Sequence, residues 1–354
     1  MSDAETFTLR EPGDVVGAIP WFLGFHPEES LVLICLGGPR QRMRMCARSD
    51  LSDLDQPEAV TSLVRNVQRA GGDGVLLVCY PRPEQIAAAA GTSQLPEQDC
   101  VTALVSAFVA EDIGVALSLA VIDGRWYSYN HVDSQYPPEG TTIDPAPSGV
   151  TAQLAASVVG SGGTVLGSRS ELRSMIAPPV GLRAHVLSGL ANQLLEKLVQ
   201  RIRTHGLGAA RAHTVTRFER AWHRWRAGQH TLSDTDAMEL VIGLQDVYAR
   251  DEVIRIDPGA DGAALLALWS HLARCADDET AAPVCSALAC VACMEGEGAL
   301  VNMALERALR VDPHYSLAHL LLQATAKALP PQRLREVWRT PATATNQLGP
   351  AQAS

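Results

Sequence analysis

Lysine is nearly missing: Lys197 and Lys327 are the only two in 354 residues. The formal net charge is −10. Nucleic-acid affinity comes largely from Lys and Arg neutralising phosphates, so binding through a broad basic face is disfavoured, and one local Arg-rich stretch, 201–226, remains. No apolar run reaches the ~20 residues of a membrane span, so no membrane partner is expected. The start, MSDAETFTLREPGD, is polar and acidic and lacks the basic start and apolar run of an export signal. With no export signal, all eight cysteines read as reduced thiols, and a cytoplasmic protein is expected. Aromatics are scarce at 5%, so Ala, Leu and Val must fill the interior. At 47% hydrophobic and 19% charged, the chain can bury real cores, and its length favours two domains.

The patterning divides accordingly. Residues 12–23 have helical character, with Pro12 near the start and Pro20 near the end. Ser30 to Leu36 is continuously apolar and β-branched, as a buried strand is. After Gly37-Gly38-Pro39, Arg42 to Asp50 alternates polar and apolar, so the two form an antiparallel hairpin. A helix is predicted over 57–70, from the stripe Val60, Leu63, Val64 and Val67. A buried strand follows over 74–80, a helix over 97–111 and a strand over 115–123. Asp123-Gly124 is a hairpin turn, and Arg125 to Asn130 is the returning strand. Two strand–helix–strand units imply parallel neighbours. The expected fold is an α/β N-terminal domain, 8–148, with a mixed, mostly five-stranded sheet. An all-α helical domain follows over 149–338, with a disordered tail over 339–354. Capping signals stand at Ser168 with Glu171, and at Ser233 with Asp236.

This topology throws several polar side chains onto one rim of the sheet. His26, Glu29, Ser30, Arg48 and Asp50 gather there with Tyr80, Arg82 and the Asp123–Arg125 turn. Ligands favour the carboxyl ends of parallel strands. His26, Glu29, Ser30, Arg48, Asp50 and Arg125 are therefore candidate ligand-binding residues, suited to an anion or to acid–base chemistry. The competing reading is structural: a turn cap at His26 and Ser30, and an ion pair between Arg48 and Asp50. His131, Asp133, Glu139 and Asp144 form a second polar group, expected at the opposite edge. Their spacing matches no compact metal motif, and no metal is expected. Cys285, Cys290 and Cys293 lie in an alanine-rich helical run and read as core. Gly160 to Ser168 lacks the Lys-Ser/Thr ending of a phosphate loop, and no nucleophile elbow is present, so no cofactor is expected. In the helical half, Arg217, Arg220, Trp222 and Arg224 are candidate partner-binding residues. The alternative there is an amphipathic helix with Phe218, Ala221, Trp222 and Trp225 inward and arginines outward.

Five segments carry a resemblance. IPWFLGFHPEESLV (19–32), DGRWYSY (123–129), PPEGT (137–141), NMALERAL (302–309) and DPHYSLA (312–318) resemble an actinobacterial family called domain-of-unknown-function 4192. The likeness covers most of 8–330 and implies a cytoplasmic protein. The last helices, near 283–328, are similar to a tetratricopeptide-type helical hairpin, with Gly296, Leu305, Ala308, Pro313, Tyr315 and Ala318 in matching positions. The expected function is that of an interaction or regulatory protein. The helical half would take a protein partner, and the α/β domain would hold a small-molecule or anionic ligand. The alternative is an enzyme or anion-binding protein using the rim around His26, Arg48 and Asp50.

Overall fold

The computed structural model describes residues 7–130, 137–160, 165–326 and 331–339; the expected disordered tail lies almost wholly outside them. The chain divides into two compact units, Met1–Glu171 and Leu172–Ser354.

The first unit runs α1 (Pro12–Leu23), β1 (Ser30–Gly37), β2 (Arg42–Asp50), α2 (Leu51–Leu54), α3 (Pro57–Arg69), β3 (Gly74–Tyr80), α4 (Pro83–Ala89), α5 (Gln98–Val109), β4 (Gly114–Ile122), β5 (Arg125–Ser128), β6 (Thr141–Thr142) and α6 (Gly149–Gly160). The sheet has six strands, not five, in the order β2-β1-β3-β4-β5-β6. The additional strand pairs Thr142 with Arg125 and Thr141 with Trp126. Two residues are too few to show a period in sequence.

The expected parallel neighbours are found once. β3 and β4 are parallel, whereas β1 is antiparallel to both β2 and β3 and separates them. The cause is burial. β1 is apolar on both faces and takes a central place, while β2 alternates and is left at the edge.

Helices cover both faces. Leu31, Leu33, Leu77 and Cys79 pack with Leu63, Val64 and Val67 of α3 and Leu104 and Phe108 of α5. On the other face Val32, Ile34, Val78, Leu119 and Trp126 pack with Val15, Val16 and Ile19 of α1. Each such large side chain contributes about 1.5–3 kcal/mol when fully buried. α6 packs on α1, so the first unit reaches beyond the expected end at residue 148.

The segments singled out in the sequence hold turns in place. Gly24 ends α1 at φ 77, donating its N–H to Pro20 O. Gly140 has φ +72, and a Cβ there would stand 2.6 Å from Cε1 of Tyr127.

The second unit begins within α7 (Arg169–Ser174) and continues through α8 (Gly181–Arg226), α9 (Asp234–Gly243), α10 (Val247–Ile254), α11 (Gly262–Cys275), α12 (Ala281–Glu295), α13 (Gly298–Val311), α14 (Ser316–Ala326) and α15 (Pro331–Arg339). α8 is two helices joined at Gly206, where φ is 83. Arg201 Nη1 lies 3.0 Å from His213 Nδ1. In a straight helix those residues would be about 18 Å apart, so the helix bends sharply at Gly206 and the two arms turn back towards each other. Both expected caps form: Ser168 Oγ accepts from the Glu171 N–H and Ser233 Oγ from the Asp236 N–H.

α12 is buried along nearly its whole length, including Cys285, Cys290 and Cys293. Beside it lies a buried arginine. Arg307 Nη1 donates to Ala273 O at 2.6 Å and also to Ile176 O, and Nη2 donates to Ala276 O at 2.6 Å. Ala273 and Ala276 end α11, so the guanidinium caps carbonyls that the helix itself cannot pair. Arg250 donates to Tyr315 Oη and Asp251. Arg307 and Tyr315 of the NMALERAL and DPHYSLA segments thus hold helices together. Among the described residues no helix is long and apolar enough to cross a membrane.

Candidate functional site

The strand register determines what the rim brings together. Ser30 is opposite Asp50 on one side and Tyr80 on the other. β3 and β4 run in parallel register, so the turn from Ile122 to Arg125 reaches the same rim. The rim is nevertheless wide. From Asp50 on β2 to Arg125 on β5 there are four inter-strand steps, about 19 Å at the usual spacing.

The side chains there are largely occupied locally. Arg125 donates from Nε to Glu139 O at 3.0 Å, from Nη2 to Gly140 O at 2.7 Å and from Nη1 to Thr142 Oγ1 at 3.0 Å. Arg48 Nη2 donates to Glu28 O at 3.1 Å and to Asp50 Oδ1 at 2.6 Å. Asp50 Oδ2 takes a second guanidinium, Arg169 Nη1 at 2.9 Å. Burial pushes the Asp50 carboxyl upward, but Arg48 and Arg169 outweigh it and hold it below the ordinary range. Ser30 is fully buried, and its Oγ has no hydrogen-bond partner. His26 is exposed, and its backbone N–H is bound to Leu166 O. Glu29 is exposed at φ 45. The rim forms a clasp between Arg48, Asp50 and Arg169, with Arg125 in a separate one.

Of the second polar group, His131 and Asp133 lie outside the described residues. Glu139 lies beside Arg125, at the rim rather than the opposite edge. Asp144 Oδ1 accepts the Ala146 N–H. Among the described residues no cluster of three or more His, Cys, Asp or Glu could hold a metal.

On α8, Trp222 is 3% exposed and is buried with Phe218, Ala221 and Trp225. Arg217 pairs with Asp236 and with Glu239, the latter at 2.7 Å. Arg220 and Arg224 are exposed. They line a mainly apolar hollow of about 380 Å³ with Leu232 and Leu240.

A larger hollow, about 430 Å³, opens at the carboxyl end of β3 on the α3/α5 face. Its walls include Leu54, Asp55, Val60, Arg82, Leu95, Glu97, Gln98, Cys100 and Ala103. The chain leaves β3 through Pro81 and Arg82 and returns at the start of α5, in the crossover to parallel β4. That is where open α/β sheets place ligands. Arg82 and Glu97 form a two-pronged pair there. Arg82 Nε donates to Glu97 Oε1 at 2.8 Å and Nη2 to Oε2 at 2.9 Å, while Nη1 reaches Asp55 Oδ2 at 3.0 Å. The Glu97 side chain is 2% exposed and that of Arg82 19%.

Glu97 has φ 60, in left-handed backbone. That conformation costs a residue with a Cβ about 1–2 kcal/mol. Two charge-assisted bonds from one guanidinium hold it there. The Glu97 bonds raise the Arg82 pKa further, so its charge is permanent. Tyr129 Oη props the preceding turn by donating to Pro96 O at 2.7 Å. Burial pushes the Cys100 thiol up, and the Glu97 and Asp55 charges push it further, against Arg82. Gln98 Nε2 donates to Thr102 Oγ1 at 3.4 Å, whereas its Oε1 is buried with no donor.

Sequence reading put Tyr80 and Arg82 at the rim and missed Asp55, Glu97, Gln98 and Cys100. A usable signal exists: Pro81-Arg82-Pro83 directly after a buried strand, and Pro96-Glu97-Gln98-Asp99 at a helix start. A family model described as domain of unknown function (DUF4192) matches residues 12–332. No curated protein and no solved structure matches the chain.

Proposed function

We propose that this chain, which belongs to the family described as domain of unknown function (DUF4192), is a ligand-responsive interaction protein whose small-molecule site is the hollow at the end of β3. The observation that carries the reading is the Arg82–Glu97 pair in the wall of an open hollow. A desolvated ion pair adds little net stability compared with apolar packing, and strained backbone tends to persist at functional sites. Both features coincide at the carboxyl end of a parallel strand. Binding is favoured over catalysis. Both oxygens of Glu97 are engaged by one guanidinium, and Cys100 is held as the thiol rather than the nucleophilic thiolate.

The helical unit would present the response. The exposed Arg220 and Arg224 beside Leu232 and Leu240 suit a protein partner, and the tetratricopeptide-like pair α12–α13 would supply the scaffold. Eight free thiols suit a reducing cytoplasm.

The test is a fragment screen on the full chain by amide NMR, with Ala103→Trp as the blocked control. Ala103 is exposed on α5, so the indole fills the hollow without entering the core. The expected result is hits that shift Gln98, Cys100 and Ala103 amides and vanish in Ala103→Trp. Hits that survive the blockade and shift His26 or Arg48 instead would overturn the assignment.

A further inference from the structure

We infer that the hollow at the end of β3 takes a small organic cation, an alkylammonium or guanidinium with a short apolar body; this rests on reading the hollow as a ligand site. Its lining holds one arginine, Arg82, against three carboxylates, Asp55, Glu97 and Asp99. The charge of that arginine is already matched at home, since Nε and Nη2 are engaged by Glu97 and Nη1 by Asp55, so an incoming anion meets two partnered carboxylates with the guanidinium. The outward carboxylates are the accessible charges: the Asp55 side chain is 51% exposed, and Asp99 is exposed in the first turn of α5. The free N–H groups at that helix start would otherwise favour an anion, and Asp99 already complements them.

The hydrogen-bonding inventory agrees with the charge. Gln98 is in the lining, and its Oε1 is buried without a donor, so a turn of the side chain towards the hollow would let a ligand supply one. Turning the amide over does not help, because the Thr102 hydroxyl already donates to Gln98 O at 2.7 Å. A ligand that only donates fits this set, and an ammonium has three donors and no acceptor. Leu54, Val60, Leu95 and Ala103 give a short chain an apolar surface.

The experiment uses probes of matched length on the full chain: n-pentylammonium, n-pentylguanidinium and hexanoate, with inorganic phosphate as a second anion. Binding is followed by the Gln98, Cys100 and Ala103 amides at fixed ionic strength. The two cations should bind roughly tenfold or more tightly than hexanoate, and more weakly as salt rises. Asp55→Asn should weaken the cations several-fold without strengthening them at any salt. Asp99→Asn repeats the test should Asp55→Asn fail to fold. Hexanoate or phosphate binding as well as the cations at these amides overturns the charge class and leaves the site standing. Cation affinity unchanged in both variants does the same. Silence of these amides towards all four probes, together with fragment hits that ignore Ala103→Trp, overturns the site itself.

Discussion

Replacing Glu97 by glutamine tests the wall of the hollow directly. The substitution keeps the side chain's size but removes both charged acceptors of Arg82, which are 2.8 and 2.9 Å from its Nε and Nη2. Breaking a buried pair by removing one partner costs about 3–5 kcal/mol. Arg82 retains some solvent and its bond to Asp55, which lowers the expectation to about 2–3 kcal/mol. For a unit of this size each kcal/mol moves the melting temperature by about 2–4 °C. The expected loss is therefore roughly 5–10 °C. Glu97→Gly should be less damaging than Glu97→Ala, because glycine relieves the left-handed backbone. Hydrogen exchange under increasing urea reads the two units separately: amides of Gly74–Tyr80 should lose protection while those of Ala281–Glu295 keep theirs. A double change, Arg82→Met with Glu97→Leu, should recover most of the loss, since no charge is then left unpaired. A loss under ~1 kcal/mol for Glu97→Gln, in the range of a surface ion pair, or a double variant no better than the single one, would refute the reasoning.

Arg307→Met should destabilise the helical unit by about 3 kcal/mol or more, because the carbonyls of Ile176, Ala273 and Ala276 lose their donors in a buried place; urea unfolding checks it. Ser30→Ala should be neutral or slightly stabilising, within about 0.5 kcal/mol, because the buried hydroxyl has no partner to lose. Asp50→Asn should destabilise at neutral pH. The native carboxyl titrates below its unfolded value near 3.9, so its contribution is present above that value and lost as pH falls through the lower native one. Wild type and variant should converge in melting temperature once acid has protonated the native carboxyl. Gly140→Ala should cost more than the ~1–2 kcal/mol of its left-handed backbone, because its Cβ would meet the Tyr127 ring at 2.6 Å; in a Tyr127→Ala background the penalty should fall towards the backbone part alone.

What the sequence showed of the fold follows periodicity. β1 and β3 are unbroken apolar runs, and α3 carries one clear stripe, so each stood out with its boundaries nearly right. Strand order was harder, because a parallel crossover leaves no mark of how many strands it passes. The contrast between a doubly buried β1 and an alternating β2 was nevertheless a usable clue that β1 is central. α8 reads as one long helical pattern, and only Gly206 records that its arms fold back. The rim was legible because register alone places Ser30 beside Asp50 and Tyr80. The hollow was not. Glu97 matters through a left-handed backbone and a guanidinium 15 residues away, and neither leaves a local pattern. Arg125 shows the converse difficulty: an arginine satisfied by Glu139 and Gly140 carbonyls looks, in sequence, like one free to bind a ligand.

The most direct measurement is a crystal structure of the full chain soaked with n-pentylammonium. The account predicts density for the probe between Gln98, Asp55 and Ala103, with its nitrogen within hydrogen-bond distance of Gln98 Oε1 or the Asp55 carboxylate. Probe density seated instead against Ser30, Arg48 and Asp50, with the hollow beside Arg82 empty, would contradict it.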